Sequence, residues 1–231
     1  PKRCAAIQRS WPLILEQATT MSLNVSNLTV HHGAICAIDQ LSIAVPTGKL
    51  AAIIGANGAG KTTLVNLMTG VLKPTSGNVI FNGHDVTAQR PFQAARSGLA
   101  RTFQIVQPFP QMTVLENVTA GALFAAGAAH RKEAEEQAME HLEFVGLAPL
   151  AFRPATSLTL PSRKRLELAK SLAMKPRVLL LDEVNAGLNT SEIEQALALM
   201  RAIAARGTGR RRWEGRKEAR QLLPASCVRA L

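Results

Sequence analysis

The chain has little cysteine and no tyrosine. Its cysteines are Cys4, Cys36 and Cys227, and no two stand as a CxxC pair. That scatter excludes a zinc knuckle and a disulfide framework, and it suits a reducing compartment. No apolar run approaches the roughly 18 residues of a membrane span. The most apolar stretch, Ala120 to Ala129, is rich in Ala and Gly and reads as a packed helix. Trp11 to Leu15 is too short for the apolar region of a signal peptide. Acids are outnumbered, 16 to 27, which gives a formal charge of +11 over 231 residues. Much of that excess sits at the two ends, with Lys2, Arg3 and Arg9 at one and Arg210, Arg211 and Arg212 at the other. The interior is only mildly basic, so the charge is weak evidence for a nucleic-acid or anionic-membrane partner. A hydrophobic content of 47% provides for an ordinary globular core.

The stretch Gly55-Ala56-Asn57-Gly58-Ala59-Gly60-Lys61-Thr62 matches the G-x-x-x-x-G-K-[ST] pattern of a phosphate-binding loop. Its glycines let successive N–H groups turn inward towards phosphate oxygens. Lys61 would reach the β and γ phosphates, and the Thr62 hydroxyl would face Mg²⁺. Leu50 to Ile54 reads as a short buried strand before the loop. Thr63 to Met68 reads as a helix after it, with its N-terminal dipole towards the anion. Context of this kind separates the motif from a chance glycine-rich turn.

The chain divides around this loop. Residues 1–20 read as a leader foreign to the fold, with patterned sequence beginning at Met21. Leu23, Val25, Leu28 and Val30 form a β pattern, with a break expected at His31-His32-Gly33. Leu41, Ile43 and Val45 alternate as in a half-buried strand. Val79 to Phe81 is another strand, closed by the hairpin turn Asn82-Gly83. An antiparallel β layer beside the phosphate-binding core follows.

Thr113-Val114-Leu115-Glu116 is a helix capping box. Three helices are expected, from there to about Ala126, from Arg131 to Val145, and from Pro161 or Ser162 to before Pro176. Together they read as an inserted helical subdomain at about 105–172. Val178 to Leu181 is an uninterrupted apolar run, as in a central parallel strand. A last helix spans about 191–205, with Ile193, Leu197, Met200 and Ile203 facing inward and Gly207 as its cap. Beyond it, residues 207–231 are Arg-rich and carry no strand pattern.

Asp182 and Glu183 end the apolar run, where carboxylates are costly unless used. With a phosphate loop upstream, Asp182 is expected to anchor Mg²⁺, and Glu183 to activate the water that attacks the γ phosphate. The plain alternative is a solvated acidic pair at a strand end. Gln104 could bind Mg²⁺ or position water, although a lone loop glutamine is usually only that.

With these residues assembled, the chain resembles the ATP-binding subunits of ABC transporters over about 21–206. The resemblance rests on Gly55 to Thr63, Gln104, the helical insertion, Leu181-Asp182-Glu183 and Ala186-Gly187-Leu188-Asn189. Leu99 to Gln104, Phe109 to Asn117 and Lys164 to Ala169 look most like the branched-chain amino-acid uptake group. The resemblance implies an α/β P-loop fold. It also implies a homo- or heterodimer of ATP-binding subunits holding two ATP molecules, integral-membrane permease partners and a peripheral place on the cytoplasmic face of the plasma membrane. No nucleic-acid partner is expected.

Three departures stand out. The family's L-S-G-G-Q signature aligns with Leu158-Thr159-Leu160-Pro161-Ser162. Thr159 keeps a hydroxyl for a partner's γ phosphate, but Pro161 offers no N–H donor. The aromatic that stacks on adenine falls near His32. The family's switch histidine, and the strand before it, have no counterpart near residue 207. A frameshift there is one explanation; a native basic tail is the other. The chain is therefore expected to bind ATP better than it hydrolyses it. The alternatives are a soluble, non-transport ABC protein acting on nucleic acid, and an inactive fragment.

Overall fold

The computed structural model describes residues 21–47, 51–56, 58–102, 108–125, 127–128, 130–182 and 187–206. Strand β1 (Met21–His32) pairs antiparallel with β2 (Ile35–Pro46) on one side and β3 (Ser76–Phe81) on the other. Strand β4 (His84–Asp85) completes this sheet in the order β2-β1-β3-β4. Leu23 and Val25 alternate inward, but the next core residue is Leu28, three positions on. A register shift with Asn27 at φ 48° absorbs the extra residue and returns Leu28 to the core face. Asn82 at φ 47° and Gly83 at φ 81° make the β3–β4 turn with positive φ at both central residues, as the Asn-Gly pair suggests. His31 and His32 do not break β1; they pair with Cys36 and Ile35, and the turn falls one step later.

Helix α1 (Lys61–Met68) packs Leu64, Val65, Leu67 and Met68 into the same core as β1 and β3. Helix α2 (Pro91–Ser97) leads into β5 (Leu99–Arg101), which pairs in parallel with β6 (Val178–Leu180). Strand β5 is too short to show a sequence period, and only its ladder with β6 defines it. The strand expected at Leu50 to Ile54 does not form over its described part. Residues 51–56 carry no ladder, and Ile54 is 68% exposed. An apolar run becomes a strand only beside a partner, and no described strand pairs with this one.

A second core belongs to helices α3 (Val114–Phe124), α4 (Arg131–Phe144) and α5 (Leu160–Ala173). Val114, Val118 and Ala122 face Ala134, Ala138 and Leu142 of α4 and Leu166, Ala169 and Ala173 of α5. Small residues let these helices approach closely. A Cβ on Gly121 would meet the Lys170 carbonyl at 2.9 Å. Thr113 and Glu116 form the reciprocal cap of α3 that the sequence predicts. Fully buried Asn117 stitches the preceding loop to α3, accepting from the Phe109 N–H and donating to the Phe109 and Thr113 carbonyls.

Helix α6 (Thr190–Arg206) starts from an Asn189–Glu192 exchange of side-chain and backbone bonds. Its expected inner residues, Ile193, Leu197, Met200 and Ile203, are only half-buried. Leu199 packs against the helical core. No helix among the described residues is long and apolar enough to cross a membrane.

His141 on α4 gives this core a pH dependence. Burial pushes its imidazole down to about 4, and Lys175 pushes the same way. The unfolded chain takes up that proton near pH 6.5. Between these values the unfolded state binds more protons, so stability falls as pH drops from 6.5 towards 4. Urea unfolding across this window is expected to show the loss, and His141→Gln to flatten it. An unchanged slope in the variant would refute the assignment.

Candidate functional site

The phosphate loop runs from Gly55 to the start of α1. Gly58 at φ 79° and Gly60 at φ 85° adopt left-handed backbone, which a side chain rarely tolerates. At Gly60 space excludes one as well. A Cβ there would lie 2.9 Å from the Ala37 carbonyl oxygen and 3.3 Å from Ile38. Strand β2 therefore presses on the loop from outside and fixes its curvature. Gly60 occupies the N-cap position of α1, with no side-chain cap and no acid in the first turn. The first N–H groups of a helix have no acceptor within it, which suits this end of α1 to an anion. Thr62 and Thr63 stand in that first turn.

Lys61 folds back over the loop. Its Nζ donates to the carbonyls of Gly55 and Ala56, each at 2.8 Å. Ala59 closes a tight turn by donating its N–H to Ala56 O at 3.1 Å. The ammonium is thus held over the loop by two neutral acceptors. An arriving phosphate offers it a charged acceptor instead, adding charge–charge attraction to the hydrogen bond. Asn57 lies outside the described residues.

Asp182 stands just beyond β6 and is only 8% exposed. The Thr102 hydroxyl accepts its N–H at 3.2 Å, and Thr102 itself donates to the Leu180 carbonyl. These bonds extend the parallel pairing one residue beyond the ladder and hold the Asp182 backbone firmly. Its Oδ2 is buried and accepts no hydrogen bond from the described residues. The Arg101 guanidinium lies beside it, with Nη2 3.7 Å from Oδ2, an ion pair beyond hydrogen-bonding distance. Arg101 Nη1 also donates to Asn66 Oδ1 on α1. Burial lowers the Arg101 pKa, and Asp182 partly offsets this.

A buried carboxylate oxygen with an open lone pair has the donor chemistry that Mg²⁺ prefers. The glycine cradle, the free helix N-terminus and Asp182 therefore fit a magnesium–nucleotide ligand. Gln104 and Glu183 lie outside the described residues. So does Ala186, one of the four residues of the sequence's Ala-Gly-Leu-Asn segment.

No described contact joins Thr159 or His32 to this cluster. Thr159 is exposed at the N-cap of α5, and its hydroxyl donates to Ser162 Oγ at 3.2 Å. Arg163 holds the segment before it, donating from Nε to the Leu158 carbonyl at 2.9 Å and from Nη2 to Thr156 at 3.0 Å. Pro161 sits in the first turn of α5, where its missing N–H costs the helix nothing. Gly187 packs against Leu160; a Cβ there would meet Leu160 Cδ2 at 3.3 Å. His32 is exposed at the end of β1, next to the β1–β2 turn. No described contact joins it to the phosphate loop.

Sequence reasoning missed Arg101 and Asn66. The signal was present: Arg101 follows two buried apolar residues of a strand, and such a charge needs a partner. Its partner could be found only once β5 and β6 were known to be neighbours.

A glycine-rich loop feeding a helix, beside a buried strand-end aspartate in a parallel pair, defines a P-loop nucleoside triphosphatase. The sequence model of the ABC transporter family matches residues 38–186. The high-affinity branched-chain amino acid transport ATP-binding protein BraF of Pseudomonas aeruginosa is 37% identical over 191 residues, 77% of this chain and 75% of that protein. The chain belongs to the ABC transporter family, as its ATP-hydrolysing subunit. Among solved structures, the ADP conformation of MJ1267, an ATP-binding cassette of an ABC transporter, superposes with a TM-score of 0.74. It is 32% identical, and the match covers 82% of this chain and 79% of that one. A dimeric, post-hydrolysis state of the cassette MJ0796, bound to ADP and Pi, superposes at 0.71 with 25% identity, over 80% and 83% of the two chains. The α/β P-loop fold expected from the sequence is the fold observed.

Proposed function

We propose that this ATPase energises the import of branched-chain amino acids through integral-membrane permease subunits, from the cytoplasmic face of the plasma membrane. The observation that supports this substrate is the 37% identity with a high-affinity branched-chain amino acid transport protein. In this reading the backbone of Gly55 to Thr63 and the Lys61 ammonium bind the phosphates. Thr62, Gln104 and Asp182 would hold Mg²⁺, which supplies charge neutralisation to the β and γ phosphates. Glu183 takes the proton of the attacking water. His32 covers the adenine.

The working unit is a dimer, for which the dimeric cassette MJ0796 with ADP and Pi is the structural precedent. Thr159 of one subunit then donates its hydroxyl to the nucleotide of the other. Its exposure at a helix N-terminus suits that task. Pro161 removes one donor from the same segment, which favours nucleotide binding over turnover. Residues 21–206 form the cassette, with a helical subdomain at about 105–172; residues 1–20 and 207–231 flank it.

Co-expression with branched-chain permease subunits tests the proposal. The chain is expected to co-purify with them and to drive leucine uptake into proteoliposomes when ATP is supplied. Failure to retain the permease, together with steeply salt-dependent RNA or DNA binding, would overturn it.

A further inference from the structure

Arg101 joins three elements that the proposed nucleotide cycle must keep in step. Its guanidinium reaches Asn66 on α1 through Nη1 and faces Asp182 Oδ2 at 3.7 Å through Nη2. Its backbone carbonyl accepts the Ser171 hydroxyl of α5 at 3.2 Å. Its own strand, β5, is in register with β6, with Arg101 opposite Leu180, two residues before Asp182. The phosphate-loop helix, the strand carrying the aspartate and the helix that begins at the signature segment therefore meet at one residue.

The charge arrangement has a consequence of its own. Asp182 and the Arg101 side chain are 8% and 9% exposed. An unpaired carboxylate that deep would be costly. Arg101 supplies the opposite charge but stops short of hydrogen bonding to Oδ2, which stays open. Nη1 is engaged by Asn66 of α1, and Nε donates to the Thr102 carbonyl at 3.4 Å, which together restrain the guanidinium from swinging onto the carboxylate.

We infer that Arg101 is a positioning residue: anchored by Asn66, it holds the charged Asp182 carboxylate in place with Oδ2 free for a divalent cation. This rests on the proposed nucleotide site. Arg101 touches neither the nucleotide nor the metal in this reading; it acts through Asp182. Groups that orient a metal ligand typically change metal affinity by about 10–100-fold when removed.

The test uses the full chain with Arg101→Met, Arg101→Lys and Asn66→Ala. A fluorescent ATP analogue measures nucleotide affinity in EDTA, and Mn²⁺ titration by electron paramagnetic resonance measures metal affinity in the nucleotide complex. Arg101→Met is expected to keep its metal-free nucleotide affinity within about twofold and to weaken Mn²⁺ binding by about tenfold or more. Arg101→Lys keeps the charge without the planar fork and should recover part of the loss. Asn66→Ala keeps the charge but removes one of the guanidinium's anchors, and an intermediate loss is expected.

Unchanged or tighter Mn²⁺ binding in Arg101→Met would overturn the inference, the tighter case showing competition between guanidinium and metal. If that variant does not fold, Asn66→Ala decides, and Mn²⁺ affinity equal to the parent's overturns the inference. A parent chain that binds nucleotide with no metal dependence would overturn the nucleotide-site reading itself. That outcome is distinct from a parent that behaves as expected beside variants that do not.

Discussion

Lys61→Ala is expected to lower ATP turnover by about a hundredfold to ten-thousandfold and to weaken nucleotide binding strongly. The argument starts from the geometry of the loop. The ammonium lies over two loop carbonyls at 2.8 Å, inside the curve set by Gly58 and Gly60. Two charge-assisted bonds to phosphate oxygens would each contribute about 1.5–3 kcal/mol. Together they correspond to about two to four orders of magnitude in affinity or rate. The N–H groups at the start of α1 survive the substitution, so weak residual binding should remain. Lys61→Arg should recover little, because a planar fork does not replace a compact ammonium held in one turn of loop. Phosphate release and fluorescent-nucleotide binding read both effects. Turnover within tenfold of the parent would show that Lys61 is not a phosphate ligand.

Much of this site was legible in the sequence because it is local. Gly55 to Thr62 are consecutive, and left-handed backbone at Gly58 and Gly60 follows from residue type and spacing. The capping box at Thr113 and Glu116 and the Asn82-Gly83 turn were readable for the same reason. Each is a contract between residues at most three apart. The helices of the second core were readable from a capping box, one helical period and flanking prolines, with boundaries within about two residues of those observed.

Non-local features were less legible. Strand β5 has three residues and no period of its own; its existence depends on β6, far along the chain. The expected strand at Leu50 to Ile54 is the mirror case. Its apolar composition suited a buried strand, but composition does not provide a ladder partner, and its described part stays exposed. The half-buried face of α6 belongs to the same class: its period is right, while its burial depends on what lies opposite. Arg101 could not be tied to Asp182 before the β5–β6 register was known. Asp182 itself was readable as a carboxylate out of place in an apolar run. Its open Oδ2 was not, because hydrogen-bond satisfaction is a property of the assembled site.

The neighbouring carboxylates at the end of β6 should separate by mutation. Glu183→Gln is expected to leave Mg²⁺-ATP affinity within about twofold while lowering turnover by about 10²–10⁴, the usual contribution of a positioned general base. The amide keeps the size and most hydrogen-bonding capacity of the acid but cannot take a proton from water. Asp182→Asn should behave in the opposite order, losing metal affinity first, because Oδ2 is the buried acceptor open to a cation. Asp182 is pinned at its N–H by Thr102 and faces Arg101, so it is committed to the interior. Glu183 follows it in the sequence, and its proposed role is chemical: taking a proton from water. If ATP persists in Glu183→Gln, the bound nucleotide should also hold two chains together, detectable as an ATP-dependent dimer by size-exclusion chromatography. Unchanged turnover in Glu183→Gln would remove it as the base. Equal loss of metal affinity in both variants would mean that the two carboxylates share one role.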